Sequence, residues 1–266
     1  MSGHDPGLPD IDTGTPHPAR IYDCLLGGKD HFPADRKAAE QILAAVPQAG
    51  AMARANRAFL QRAVRFLAAE ASIGQFLDLG SGLPTHGNVH QVARQIAPEA
   101  KVVYVDNDPI VHAHGNALLA DEQTTILFAD LREPARIVDH PKVRRLLDLD
   151  QPVGVLLVAI LHFVRDREDP AGIVAQLRDA MAPGSYLVLS HATADFDPAA
   201  ANTAARAYDR ATAPLTLRRH AEVARLFDGL ELVTPGLVQV AQWRPDPEQA
   251  ATQGEVWAYG GVGCKR

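Results

Sequence analysis

The chain has 266 residues and a mass of 28.6 kDa, with 47% hydrophobic and 22% charged residues, ordinary for a soluble globular protein of one large domain or two small ones. Its 26 basic and 32 acidic residues give a net charge of −6, and no long basic run breaks that balance, which argues against general binding to a phosphate backbone. Two cysteines, Cys24 and Cys264, exclude a disulfide framework and a zinc site built on cysteine pairs.

The first stretch, residues 1–18, carries Pro6, Pro9, Pro16 and Pro18 among Gly, Asp, Ser and Thr and is expected to be a mobile tail. It has neither the basic start nor the apolar run of a secretory signal. The longest near-apolar run, Val153–Val164, is shorter than the roughly 20 residues of a membrane helix. A cytoplasmic protein handling small molecules is therefore expected. From Ala19 to Glu70 the texture is helical. Ala34–Val46 ends at Pro47, and Ala51–Glu70 sets Met52, Ala55, Phe59, Ala63, Phe66 and Leu67 near one face, the stripe of a helix packed on a core.

From Ile73 short apolar runs alternate with helical segments. Strands are predicted at Phe76–Leu79, Val102–Val105, Thr125–Phe128, Val153–Val158 and Tyr186–Leu189. Helices are predicted at Asn88–Ala97, Pro109–Ala120, Arg136–Leu147 and Ala171–Met181. Such alternation implies crossover connections and a mostly parallel sheet with helices on both faces. Ala199–Ala213 and Leu217–Phe227 read as two more helices, the second capped by Thr216. Leu230–Val233 and Val256–Tyr259 would close the sheet, and Trp243–Gly254 reads as a loop. No linker separates the helical start from the sheet. The expected division is a tail (1–18), a helical extension or cap (19–70) and a Rossmann-like α/β unit (71–266).

The chemistry centres on Phe76-Leu77-Asp78-Leu79-Gly80-Ser81-Gly82, an apolar strand running into a glycine turn and then a helix near Gly87. Glycine serves where φ is positive or a ligand approaches the backbone, and a helix N-terminus favours an electron-rich ligand. A plain strand–helix turn reads the same way. Two further carboxylates sharpen the pattern. Asp106 ends the second strand, 24 positions beyond Gly82, and Asp130 ends the third. An acid about 20 residues past the turn holds a nucleotide ribose, and open α/β sheets bind ligands at the strand C-termini. A dinucleotide fingerprint wants a third glycine, but Thr85 stands there, and Asp78 would repel a pyrophosphate. A nicotinamide-dependent oxidoreductase is thereby disfavoured. A ligand with a cationic amino-acid end and a ribose suits the three acids, as in S-adenosylmethionine.

Phe76–Gly82, Val103–Asp108 and Phe128–Leu131 resemble the first three cofactor motifs of class I S-adenosylmethionine-dependent methyltransferases. More narrowly, the chain from Ala19 to about Gly263 resembles the S-adenosyl methyltransferase family common in actinobacteria, formerly a domain of unknown function. The stretches that carry this are 19–23, 25–30 and 53–60, then 82–85, 161–164, 189–193 and 213–216. His31 departs from the pattern, which usually has Asn. The resemblance implies a Rossmann-like sheet with an antiparallel last strand and an N-terminal helical extension. It implies that Gly80, Ser81 and Gly82 pass under the methionine portion and that Asp78 holds the amino group. It also implies that Asp106 binds the ribose, with Asn107 beside the adenine, and that Asp130 and Leu131 bind the adenine edge. The acceptor is left open.

Methyl displacement is in-line and needs no metal; the protein orients two groups and, for some acceptors, takes a proton. His162 and His191, after the fourth and fifth strands, are the two candidate bases, each also readable as a structural histidine. Tyr22, Lys29 and Asp30 surround Gly27-Gly28, which is either a sharp bend or a helix C-cap. Tyr22 and Lys29 are candidates for the acceptor side or a cap. Arg54 and Arg57 could clamp a carboxylate or sit on a solvated face. No metal site is expected: His112 and His114 face apart, and His86 and His90 lack a third ligand. The chain also lacks the Asn/Asp-Pro-Pro-Tyr/Phe stretch and the Pro-Cys nucleophile of nucleic-acid methyltransferases. The expectation is a methyltransferase acting on a small molecule, with a non-catalytic S-adenosylmethionine-binding protein as the alternative.

Overall fold

The computed structural model describes residues 11–85, 87–246 and 255–266. Three helices come first: α1 (Pro18–Leu26), α2 (Pro33–Ala45) and α3 (Ala49–Ala69). Proline opens α1 and α2, where its missing N–H is one of the unpaired donors anyway. α1 ends at Gly27, whose φ of 82° is the left-handed conformation of a helix C-cap. Along α3, Phe59, Ala63 and Leu67 are buried, with Met52, Ala55 and Phe66 packed beside them, as the stripe predicts.

Alternation then follows as β1 (Gln75–Leu79), α4 (Val89–Arg94), β2 (Lys101–Asp106), α5 (Pro109–Leu118), β3 (Thr124–Phe128), α6 (Pro134–Val138), α7 (Pro141–Leu146), β4 (Gly154–Val158), α8 (Pro170–Ala180), β5 (Tyr186–Ala192), α9 (Pro198–Ala205), α10 (His220–Arg225), β6 (Glu231–Leu232), β7 (Val238–Gln239) and β8 (Ala258–Cys264). The sheet order is β3-β2-β1-β4-β5-β8-β6, with β7 also on β8. β1 to β5 run parallel and β8 lies antiparallel against β5. The order reverses between β1 and β4, the switch point where open sheets bind ligands.

Alternate strand residues feed two cores, because successive side chains point to opposite faces. Leu77, Leu79, Val103 and Val105 pack with α6, α7, α8 and α10. Phe76, Val102, Tyr104 and Leu156 pack with α3 and α4. Asp78 therefore shares the face of Phe76, under α3. A third cluster joins α1 and α2 to α9.

Several expected boundaries shift, each for a local reason. The helix expected at Arg136–Leu147 is two short ones, α6 and α7. Pro141 has no N–H for the ladder and starts a new helix after a His140 N-cap. The helix expected from Leu217 starts at His220, because Leu217 and Arg218 are extended beside β5, with the Arg218 N–H on the Ala192 carbonyl (3.5 Å). Thr216 is no cap; its N–H donates to the His162 carbonyl (2.7 Å). The helix expected to reach Ala213 stops at Ala205. The closing strand runs Ala258–Cys264, later than expected. Trp243, placed in a loop, is fully buried and packs edge-on against Phe59 and Phe66 (5.6 and 5.8 Å). Buried Arg62 holds it there, donating to the carbonyls of Trp243 and Val240 (2.9 and 2.7 Å). Residues 247–254 of that expected loop lie outside the described residues.

Residues 11–17 of the expected mobile tail are tied down. Arg20 donates to the carbonyls of Asp12 and Thr15 (3.1 and 3.4 Å), and the Thr212 N–H donates to the Pro16 carbonyl (3.0 Å). Residues 1–10 lie outside the described residues. Among the described residues no helix is long and apolar enough to cross a membrane.

Candidate functional site

A cavity of about 470 Å³ lies between the C-terminal ends of β1, β2, β4 and β5 and the N-terminal helices. Asp78, Gly80, Ser81, Gly82, Asp106, Asn107, Asp130 and Leu131 all line it. So do Tyr22, Arg57, His162 and His191. Lys29 does not; it is exposed on the loop after α1. That loop closes on buried Asp23, whose carboxylate accepts the Asp30 N–H (3.0 Å) and meets His31 Nδ1 (2.9 Å). His31 thus latches the loop rather than lining the cavity. Arg54 is exposed and outside the lining as well.

The turn after β1 folds back on β2. The Gly80 and Ser81 N–H groups donate to the Val105 carbonyl (2.8 and 3.2 Å). Gly80 has φ of 72°, and a Cβ there would strike Ile160 Cγ1 at 2.3 Å. Gly82 has φ of 67° with open space where a Cβ would stand, so its backbone borders the cavity. The Gly82 N–H donates to Asp106 Oδ2 (2.8 Å), and the Asp108 N–H donates to Asp106 Oδ1 (3.0 Å). Each Asp106 oxygen keeps further accepting capacity. Burial pushes the Asp106 pKa up, opposed by His17 and the two backbone donors.

Asp78 is 5% exposed, and no hydrogen-bond donor among the described residues reaches its carboxylate. Burial raises its pKa to about 7, against the pull of Arg57 and with a further push from Asp106. A buried carboxylate without a donor is costly and is matched by a cation that donates hydrogen bonds. Asp130 is better satisfied. It accepts from the Arg132 N–H (2.9 Å), the Arg132 guanidinium (2.9 Å) and Asn107 Nδ2 (3.4 Å).

The histidines are committed to the fold. The Ala192 N–H donates to His162 Nδ1 (3.2 Å), so the neutral ring carries its proton on Nε2. Burial, then the fields of His191 and Arg218, hold its pKa well below the ordinary value. His191 donates from Nδ1 to the Ala192 carbonyl (2.7 Å) and accepts at Nε2 from Arg218 (2.8 Å). Burial lowers its pKa to about 3. Neither ring presents a free lone pair for a proton, so the geometry does not support the base role considered for either. Among the described residues no group of three or more side chains could hold a metal ion; His86 lies outside them.

Sequence reasoning missed three features. Arg218 is buried and donates to the carbonyls of Leu161 (3.1 Å) and Val164 (2.8 Å) and to Asp166 (2.7 Å), pinning the segment after β4. A polar chain crosses the cavity wall: the Ala159 N–H donates to Ser190 Oγ (2.9 Å), Ser190 to Asn56 Oδ1 (2.6 Å), Asn56 Nδ2 to the Tyr22 hydroxyl (3.0 Å) and Tyr22 to the Ala53 carbonyl (3.0 Å). Finally, α1 is fastened over the β2 end, where Arg20 Nε donates to Asp108 (3.0 Å) and His17 Nδ1 lies 3.1 Å from the same carboxylate. These partners lie far apart in sequence, and no local pattern marks them.

The S-adenosyl methyltransferase family matches residues 5–266. A DUF574 family protein from Streptomyces avermitilis MA-4680 is 45% identical, with 97% of this chain and 100% of that chain covered and a TM-score of 0.93. A protein from Thermobifida fusca YX is 42% identical over 100% of both chains, with a TM-score of 0.91. The plantazolicin methyltransferase BpumL, solved in complex with SAH, shares the fold at 13% identity, with 93% of this chain and 95% of that chain covered and a TM-score of 0.53. No curated protein matches. With its class I sheet and this match over nearly its whole length, the chain belongs to the S-adenosyl methyltransferase family, and it is an S-adenosylmethionine-dependent enzyme.

Proposed function

We propose that the protein transfers the methyl group of S-adenosylmethionine directly to a small molecule held inside the cavity. The observation that carries this is the roof. Side chains from residues 11–20 and from α1 to α3 line the cavity opposite the strand ends, and cofactor and acceptor share its volume of about 470 Å³, which favours a small acceptor. In this reading residues 19–70 act as a cap on the 71–266 unit.

The residues fit the cofactor. Asp78 is a buried carboxylate lacking a donor, which the ammonium of the methionine end would supply. Arg57, on the same side, would meet the carboxylate. Gly80 to Gly82 expose backbone to the ligand, and Asp106 has spare acceptor capacity for two ribose hydroxyls. Asp130 and Asn107 already bond each other and would flank the adenine, beside Leu131. Bound there, the cofactor supplies an electrophilic methyl on a sulfonium. The protein's part is then orientation and exclusion of water. His162 and His191 shape the wall beside the reacting centre, with protons fixed where the backbone and Arg218 require them.

Incubation with S-adenosylmethionine labelled in its methyl, together with fractionated cell extract, tests the proposal. Label is expected in the small-molecule fraction. Label confined to protein or nucleic acid would sink it.

The Asp78 carboxylate must be ionised to hold an ammonium, and its pKa lies at about 7. Affinity for S-adenosylhomocysteine is therefore expected to fall by about fivefold between pH 7 and pH 6 and to level off above pH 8. Calorimetric titration across that range checks it, and Asp78→Asn is expected to bind weakly with a flat profile.

A further inference from the structure

Opposite the strand ends, the cavity wall belongs to the third hydrophobic cluster, which joins α1 and α2 to α9. Its lining side chains include Ile42, Val46, Met52 and Ala204. Among the described lining residues, α2, α9 and the loop down to Leu217 contribute no charged side chain, and α3 contributes none before Arg57. Arg20 on α1 is already matched by Asp108. A charged acceptor on this wall would be buried without a partner, which is strongly unfavourable.

One polar atom on this wall stands ready. Tyr208 is 7% exposed, lines the cavity, and its hydroxyl has no hydrogen-bond partner among the described residues. Burial raises its pKa, with a further push from Tyr22, so the group stays a neutral donor. The Tyr22 hydroxyl is already used twice, donating to Ala53 and accepting from Asn56. The hydroxyl opens into the cavity, where water or an occupant that accepts a hydrogen bond can complete it. The Tyr208 ring lies 5.3 Å from the ring of Phe163, tilted by 49°. Phe163 directly follows His162 at the β4 end, so a molecule against these two rings sits beside the reacting centre. Trp257 adds a third aromatic wall.

Resting on the methyl-transfer reading above, we propose that the acceptor is an uncharged aromatic molecule that offers one hydrogen-bond acceptor to the Tyr208 hydroxyl. Stacked and edge-on ring contacts would orient it, and Tyr208 would fix its register. The small side chains of Ala201 and Ala204 on α9 leave the room it occupies.

The test uses prodan, a neutral fluorescent naphthalene ketone, and the anionic probe anilinonaphthalene sulfonate, on protein saturated with S-adenosylhomocysteine. Prodan is expected to bind with a blue-shifted emission. Tyr208→Phe is expected to weaken it by about fivefold, the loss of one neutral hydrogen bond, and Ala204→Trp to abolish the shift. Calorimetry should show both variants retaining S-adenosylhomocysteine affinity, which also confirms that they are folded. The proposal is overturned if prodan gives no shift, if Tyr208→Phe binds it as the unsubstituted protein does, or if the anionic probe displaces it at equal concentration. Failure of the unsubstituted protein to bind S-adenosylhomocysteine would instead defeat the cofactor placement on which the proposal rests.

Discussion

Asp106→Ala is expected to lose at least about a hundredfold in affinity for S-adenosylhomocysteine, from two charge-assisted hydrogen bonds worth about 1.5–3 kcal/mol each at 1.4 kcal/mol per tenfold. The reason lies in how the carboxylate is held. Backbone donors from Gly82 and Asp108 each take one side of it, which fixes its plane and leaves both oxygens able to accept from a diol. No neighbouring side chain can replace it, because Asp108 is spent on Arg20 and on the Ile110 N–H. The variant also strands the Gly82 N–H, so some loss could come through the turn. Asp106→Asn separates the two causes. Its amide oxygen can still accept the Gly82 N–H, but its NH2 group then faces the Asp108 N–H and cannot accept from a hydroxyl. Asparagine is therefore expected to recover part of the thermal stability without restoring affinity. Asp130→Asn should cost much less, since Arg132 already saturates that carboxylate. An alanine variant binding within threefold of the unsubstituted protein would show that the ribose lies elsewhere.

The contrast between what could and could not be read from the sequence has a physical basis. The strand–turn–helix units follow from short-range pattern, short continuous apolar runs giving way to helical spacing. Asp78, Asp106 and Asp130 are visible for the same reason, each standing at or near the C-terminal end of an apolar run. The Pro141 break is equally local. Other features are written nowhere in particular. Arg218 finds its partners 27 to 57 positions away, and Ser190 meets Asn56 across 134. Such contacts follow only once β4, β5 and α3 are assembled. The histidines mislead for a related reason. Sequence shows an imidazole after a strand, but the free lone pair that a base needs is decided by which backbone groups face each nitrogen. Here Ala192 supplies a donor to His162 and an acceptor to His191, and both rings become fixtures. The two-residue β6 and β7 are too short to show any period at all.

Arg218→Met is expected to lower stability by about 3–5 kcal/mol, measured by urea unfolding. Methionine keeps the apolar stem but strands two buried acceptors, the Val164 carbonyl and the Nε2 of His191, and takes one of two donors from the Leu161 carbonyl, which keeps the Val164 N–H (3.1 Å). The Asp166 contact adds little to that cost, because its carboxylate is largely exposed and water replaces the lost partner. The variant should also change the pH dependence. His191 has a pKa of about 3 in the fold against 6.5 unfolded. The unfolded chain therefore binds more protons between these values, and stability is lost as pH falls through that window, at up to about 1.4 kcal/mol per pH unit. Removing Arg218 frees Nε2 and removes a repelling charge, so the folded pKa rises and the slope becomes shallower. Asp78, whose pKa is raised, works in the opposite direction in both proteins and cancels from the difference between them. Arg218→Lys should recover part of the stability, since an ammonium can reach some of the acceptors but cannot span the guanidinium fork. Because Arg218 grips the segment that carries His162 and Phe163, the methionine variant is expected to bind S-adenosylhomocysteine yet hold the acceptor poorly. A variant as stable as the unsubstituted protein, with an unchanged pH slope, would mean that the guanidinium is not what holds the wall behind β4.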